Sequence, residues 1–538
     1  MANVVEKTGE IDFEKYRLRK FVDRLVDMDE VKIVDEQVPL RDLSSRIEET
    51  RKAVLFKQAG PEKVEMISKA MAGRKRLIAA FDSNDEKILT ELPTRLANPQ
   101  KTVEVPSDEA PVHDIKIMGN EIDLLKLPFH PQHEFDGSCY ISSGIDYTKD
   151  PLTGRTNVGS RRLSLRNHTQ TGTNITAPSD LKRIYEGCAA RKERLPVTFT
   201  LAAHPLDMVA ATTRIPGDEL SLVATMRGET APVVKSLTND ILVPADAEII
   251  IEGYFDERGY CEPEGPFGEY MGYYGSIHMD PVFTCTAITM RKDAMYQTLQ
   301  HGSGFVLDQT DSANITGLRI ETQAMEILKR VARDPRDVYS LSGTGGSGHL
   351  RVSMKQTQHG EARNAMLALF AAIRNLKHIW VFDEDIDIHN DAQVEWAFST
   401  RYQSDVDTVT IQGVMGQTMD PSLQGRRTGA KTGFDCTLPF GKHHEIVYMR
   451  CGAKQFSGAP ARFQTVEQAL QNGPLFYSHL VEAVGSEDGR EVALALDELR
   501  DQGKLGRDRD GRYHYAEGSK AGYTARVGEF YHDPNDGV

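Results

Sequence analysis

The period of apolar positions along the chain changes twice, and the changes divide it. In residues 1–115, helical spacing alternates with short β-branched runs. Residues 12–28 read as a helix, 31–34 as a strand, 40–52 as a helix, 53–56 as a strand, and 77–81 as a further buried strand. Such alternation predicts an N-terminal α/β domain. Across residues 116–317, strand-like runs follow at short intervals, at 141–147, 162–165, 197–202, 247–254 and 282–290. A helix over 180–192, with Ser179 as its N-cap, interrupts them, and the region reads as a β-barrel domain. Over 318–470, helices at 317–331, 361–374 and 393–400 alternate with strands at 350–355, 378–382 and 408–411, predicting a second α/β domain. Residues 471–538 read as two helices, 475–483 and 489–502, then a hairpin turning at Asp510-Gly511, a winged-helix-like extension.

Composition narrows the class. The 538 residues are 39% hydrophobic and carry a net charge of −15, with no long basic block, so nucleic acid is not the expected partner. Six scattered cysteines form no CxxC pair, which fits a reducing cytosol rather than a disulfide scaffold. The N-terminus is polar, without a signal-peptide core, and the longest apolar run is about nine residues, well short of the ~20 that cross a bilayer. A cytoplasmic protein that does not enter the membrane is expected.

Candidate chemistry centres on Glu262-Pro-Glu264-Gly-Pro266-Phe-Gly268-Glu269, a loop after the strand at 247–254. Pro266 keeps it out of a helix interior. Alone, the run reads as an acidic surface turn. Asn157-Val-Gly159-Ser160-Arg161-Arg162 adds an amide, small residues and two guanidiniums at the start of a strand, suited to a phosphate or carboxylate. Three other motifs carry less. Gly343-Thr-Gly345-Gly-Ser-Gly348 matches GxGxxG, but the strand pattern after it contradicts a dinucleotide fold, which needs a helix there. Pro128 and Pro131 prevent His130 and His133 from sharing a helix face as metal ligands. Asp383-Glu-Asp385-Ile-Asp387 lacks the glycine and distal glutamate of a calcium loop.

In order and spacing these stretches resemble the UbiD family of prenylated-FMN-dependent decarboxylases, in its aromatic and heteroaromatic acid branch. Asn157-x-Gly-x-x-Arg162 resembles that family's asparagine-to-arginine strand, and Glu264-Gly-Pro-x-Gly-Glu269 its carboxylate loop. The segment 237–248, Ser353-Met-Lys355, Trp396 to Arg401, Asp407-Thr-Val409 and Lys431 to Thr437 follow in the family order. The likeness covers about residues 30–450 and leaves the extension outside.

The resemblance implies an N-terminal α/β domain, a central split β-barrel binding the flavin, and a C-terminal α/β domain that forms a homodimer or larger homo-oligomer. The implied reaction is reversible, non-oxidative loss of CO2 from a small aromatic or heteroaromatic acid such as a hydroxybenzoate, a pyrrole or indole acid, or a phenazine carboxylate. Prenylated FMN comes from a separate flavin prenyltransferase, and a divalent cation (Mn2+ or Mg2+) with K+ nearby holds its phosphate. By position, Arg162, Glu264 and Glu269 match the catalytic network, with Glu269 as proton donor. Asn157, Ser160, Arg161, Arg162 and Lys355 match cofactor contacts. Asn157 and Glu219 match metal ligands. The third ligand is a histidine in the family; Asp180 stands at that position here, with His168 and Asn174 as alternatives. Rival readings are a flavin oxidoreductase built on the same barrel, and a non-catalytic assembly protein.

Overall fold

The computed structural model describes residues 11–508 and 510–516 and the backbone of Val4–Val5. It divides into two compact units, Met1–Cys436 and Thr437–Val538.

The first unit is organised around a closed barrel of six antiparallel strands. Around it run Ile249–Phe255, Leu195–Leu201, Tyr140–Lys149, Thr156–Leu165, Gln170–Gly172 and Val282–Met290, which pairs back to Ile249–Phe255. Side chains alternate across the barrel wall. Leu163, Phe199, Ile251, Phe255 and Phe283 fill the interior. Ile145, Tyr147, Val158 and Ile250 face outward into a second core, with the helices Pro205–Thr212 and Ser221–Arg227.

The N-terminal layer is a four-stranded sheet in the order Tyr296–Thr298, Val64–Ser68, Ala53–Ala59, Val31–Val38. Its Tyr296–Thr298 strand comes from the chain leaving the barrel, so residues just after it return toward the barrel loops. The expected strand at 77–81 is instead the end of a helix, Arg74–Phe81. Leu77, Ala79, Ala80 and Phe81 are all buried, so no polar position reveals the period, and the two alanines favour helix.

The helix Asp311–Val331, N-capped by Thr310, leads into a mixed five-stranded sheet in the order Pro335–Ser340, His349–Met354, His378–Asp383, Thr428–Cys436, Thr408–Met415. As expected, a strand follows the GxGxxG run. The second unit holds helices Val466–Gln471, Tyr477–Ala483 and Arg490–Asp501 and the hairpin Leu505–Arg507/Tyr513–Tyr515 around its own apolar core. Sequence pattern alone missed the first of these helices. Among the described residues, no helix is long and apolar enough to cross a membrane.

Candidate active site

Strand parity sets the centre of the site. Arg162 shares the outward face of its strand with Val158 and Ser160, and there it meets the carboxylate loop. Its Nε and Nη2 donate to the two oxygens of Glu264 at 2.8 Å each, and its Nη1 donates to Glu269 Oε1 at 2.7 Å. Beneath the guanidinium lies the Phe267 ring, 4.4 Å from its centroid, so the cation is held by two carboxylates and an aromatic face. The loop itself is two short hairpin pairings, Glu262–Glu264 with His278–Asp280 and Phe267–Gly268 with Tyr274–Gly275, joined by a cis Gly265–Pro266 peptide.

Glu269 has a second neighbour that the sequence did not single out as catalytic. His301 Nε2 lies 3.6 Å from Glu269 Oε2. His301 arrives there because Asp311, at the start of the long helix, accepts the N–H groups of Gln300 and Met71, each at 2.8 Å. Burial works against ionisation of Glu269, but His301 and Arg162 outweigh it and hold its pKa at about 2. The resting site therefore contains Glu269 as a carboxylate.

Asp280 is a further acid beside this cluster. Its Oδ1 accepts Ile175 N–H at 3.1 Å, and its buried Oδ2 has no hydrogen-bond partner among the described residues. Burial pushes its carboxyl up to about 6, with the Glu264 charge adding to the rise while Ile175 N–H and Arg162 oppose it. Below its ordinary value of 3.8 the group is neutral in folded and unfolded chains alike; between 3.8 and about 6 only the unfolded chain releases the proton, and above 6 the cost to the fold is complete. Asp280→Asn keeps the acceptor for Ile175. It is expected to stabilise the protein by about 1–3 kcal/mol near pH 8 and not at all near pH 3.5. Urea unfolding at the two pH values checks this, and an equal gain at both would locate the effect elsewhere.

The remaining sequence-derived residues separate. Arg161 points to the opposite face of the strand from Arg162, into the barrel wall, where its Nε lies 3.6 Å from the buried Asp146. Asn157 is buried at the start of the same strand. Glu219 reaches it from the chain that enters the helix Ser221–Arg227: its N–H donates to Thr156 O and its Oε2 accepts Val158 N–H, both at 2.9 Å. Burial pushes the Glu219 carboxyl up; Val158 N–H and Arg214 oppose this, and Asp180 and Asp146 add to it. Asp180, in the first turn of the helix Asp180–Ala190, is exposed and lies 3.5 Å from Arg183. Of the alternatives, Asn174 caps its own turn by accepting Thr176 N–H, and exposed His168 pairs with Asp123 at 2.9 Å.

Lys355 follows the strand His349–Met354 and lies 3.7 Å from Glu384, about 20 Å of strand away from the opposite end. At that opposite end the glycine loop meets the site: a Cβ on Gly345 would lie 2.9 Å from the Tyr270 carbonyl oxygen. Glu262 is a surface partner of Arg166, at 3.5 Å. Among the described residues, no three His, Cys, Asp or Glu side chains gather at metal-binding distance.

The chain as a whole is similar to known proteins. Residues 103–304 match the model of the 3-octaprenyl-4-hydroxybenzoate carboxy-lyase Rift-related domain, and residues 313–436 match the C-terminal domain of the same carboxy-lyase. The anhydromevalonate phosphate decarboxylase of Methanosarcina mazei is 31% identical over 424 residues, covering 78% of this chain and 95% of its own. The UbiD-class enzyme HmfF from Pelotomaculum thermopropionicum, solved in complex with FMN, superposes with a TM-score of 0.77 at 29% identity, covering 81% of this chain and 97% of its own. An evolved dimeric form of HmfF, solved with prFMN, gives a TM-score of 0.74 at 27% identity, covering 82% and 97%. With both domain models matched in order and a relative covered nearly end to end, the chain belongs to the UbiD family and is a carboxy-lyase.

Proposed function

We propose that the enzyme removes CO2 from a small aromatic or heteroaromatic acid with the aid of prenylated FMN, and that Glu269 delivers the proton that replaces the carboxylate. The observation that carries this reading is the Glu264–Arg162–Glu269 network on the outer wall of a flavin-type barrel. The flavin supplies the electron sink that an sp2 carbon otherwise lacks when CO2 leaves. The protein's own groups do the rest. Glu264 is fully engaged on two nitrogens of Arg162 and fixes the plane of the guanidinium. Arg162 is left with one edge directed to Glu269, where it orients a substrate carboxylate. Phe267, Tyr270 and His301 give the site aromatic walls suited to a flat ring.

The donor set near the start of the arginine strand fits a hard divalent cation. Asn157, Glu219 and Asp180 offer only oxygen ligands, which suit Mn2+ or Mg2+. In this reading Ser160, on the same outward face as Arg162, contacts the cofactor. A flavin prenyltransferase supplies that cofactor, and the enzyme works as a homodimer or larger homo-oligomer, a state for which the dimeric HmfF form gives support.

A second substrate class has an observation of its own. A cavity of about 500 Å3 is lined by Arg374, Lys377 and Arg426 and by Gln417, whose side chain bonds the Tyr270 hydroxyl beside Glu269. Asp420 on the same wall already pairs with Lys377 at 2.7 Å, so Arg374 and Arg426 are the cations that suit a phosphate-bearing acid, the type named in the M. mazei relative.

Expression with and without a flavin prenyltransferase, followed by CO2 release from aromatic acids and from anhydromevalonate phosphate, tests the reading. Turnover of a ring acid only with the prenyltransferase is the expected result. Equal activity without it would sink the cofactor assignment, and turnover confined to the phosphate would move the substrate to the second class.

A further inference from the structure

The stretch 130–137, set aside as metal ligands because of its prolines, packs against the carboxylate loop. The Asp136 carboxylate is buried there and fully used. Its Oδ2 accepts the N–H groups of Gln132 at 3.1 Å and His133 at 3.0 Å. Its Oδ1 accepts Gly268 N–H at 3.1 Å, with His133 Nδ1 also 3.1 Å away. The next residue continues the grip: Gly137 N–H donates to the Pro266 carbonyl at 2.8 Å. These two bonds bracket Phe267, the ring under Arg162, and one of them ends on the amide of Gly268, the residue before Glu269.

Close backbone approach also meets the same loop at two points along the chain. A Cβ on Gly137 would lie 2.1 Å from the Gly265 carbonyl oxygen, and one on Gly302 would lie 2.1 Å from the Glu269 carbonyl oxygen. Backbone thus meets backbone at Gly265 and again at Glu269, on either side of Phe267 in the chain.

Building on the reading of Glu269 as the proton-delivering group, we propose that Asp136 is its positioning residue: by taking Gly268 N–H, it sets where the Glu269 carboxyl meets Arg162. A staple that served only its own turn would tie Gln132 and His133 and leave Gly268 aside. Displacement of a reacting group by about 1 Å is enough for losses of the order of 100-fold.

The test uses the flavin-loaded enzyme. Asp136→Ala is expected to lower kcat by about 10- to 100-fold while KM and flavin absorbance stay within about threefold. Amide exchange across residues 264–275 should accelerate. Asp136→Asn has one oxygen and can serve either Gly268 N–H or the N–H groups of Gln132 and His133, so its kcat should fall between those of wild type and Asp136→Ala. Combined with Glu269→Gln, Asp136→Ala should add no further loss, because both act through one group. Wild-type kcat in Asp136→Ala, or additive losses in the double variant, would overturn the proposal. Should Asp136→Ala not fold, Gly137→Ala displaces the same loop, and an unchanged kcat there is equally fatal. If Glu269→Gln alone turns over normally, it is the Glu269 reading that fails, while the exchange measurement still reports whether Asp136 holds the loop.

Discussion

Glu269→Gln is expected to bind the flavin and fold normally yet lose turnover by about 100- to 10,000-fold, the usual worth of a positioned proton-transfer group. The substitution is nearly isosteric. A glutamine oxygen can still accept from Arg162 Nη1, and the bidentate Arg162–Glu264 pairing is untouched, so cofactor and fold have no reason to be lost. What disappears is the capacity to carry a proton. Decarboxylation of an acid that enters as its anion consumes one proton for each CO2 released, so the delivering group must be reloaded every turnover. The pKa of about 2 in the resting site makes Glu269 the carboxylate end of that cycle. An arriving substrate carboxylate adds like charge and competes for Arg162, and both effects lift Glu269 toward its protonated form. A pH signature follows. The kcat/KM profile, which reports the free enzyme, should show no Glu269 ionisation in the neutral range, whereas kcat can show one. Hydrogen exchange at the product carbon should collapse together with turnover in Glu269→Gln. A variant within tenfold of wild type on both counts would remove Glu269 from the proton path.

Parts of this site were legible in the sequence because they are local. Glycines and prolines around Glu264 and Glu269 announce a shaped loop, and Ser179 announces the helix it caps, accepting Lys182 N–H at 3.2 Å. The six-stranded barrel showed itself as short β-rich runs, although its closure between Ile249–Phe255 and Val282–Met290 depends on pairing that no local pattern contains. Other contributors were hidden because topology delivers them. His301 reaches Glu269 only because the strand Tyr296–Thr298 joins the N-terminal sheet and Asp311 ties Gln300 in place. Asp136 and Asp280 look like ordinary turn and strand acids until the loop folds against them. Adjacent Arg161 and Arg162 are equivalent in a motif but lie on opposite faces of a strand, and only one of them meets the loop. The run 77–81 failed for a different reason: five apolar residues in a row carry no alternation from which a period can be read.

Removing the cation should cost more in stability than removing any one of its partners. Arg162→Met leaves Glu264 and Glu269 buried, close together and without the guanidinium that both share. Breaking a buried charge network from its central member typically costs about 3–5 kcal/mol, because uncompensated charge remains inside. Glu269→Gln removes a charge instead and leaves the arginine paired, so its cost should be much smaller. The pH dependence separates this account from a simple packing defect. In the wild type, Glu269 is depressed from 4.5 to about 2, so the stability it contributes is fully present above pH 4.5 and is lost as the pH falls through about 2. In Arg162→Met, Glu269 is buried without that cation and takes up its proton at a higher pH than in the wild type, so the penalty fades as the pH falls toward 4.5. The gap between wild type and Arg162→Met in urea unfolding should therefore be widest near pH 7 and narrow steadily on acidification. Arg162→Lys should fall between the two, since an ammonium restores charge but cannot span both oxygens of Glu264 while reaching Glu269. A gap that stays constant from neutral to acid pH would mean that the loss is one of packing against Phe267 and Tyr140 rather than of charge, and the network would then be an ornament of the fold instead of its electrostatic centre.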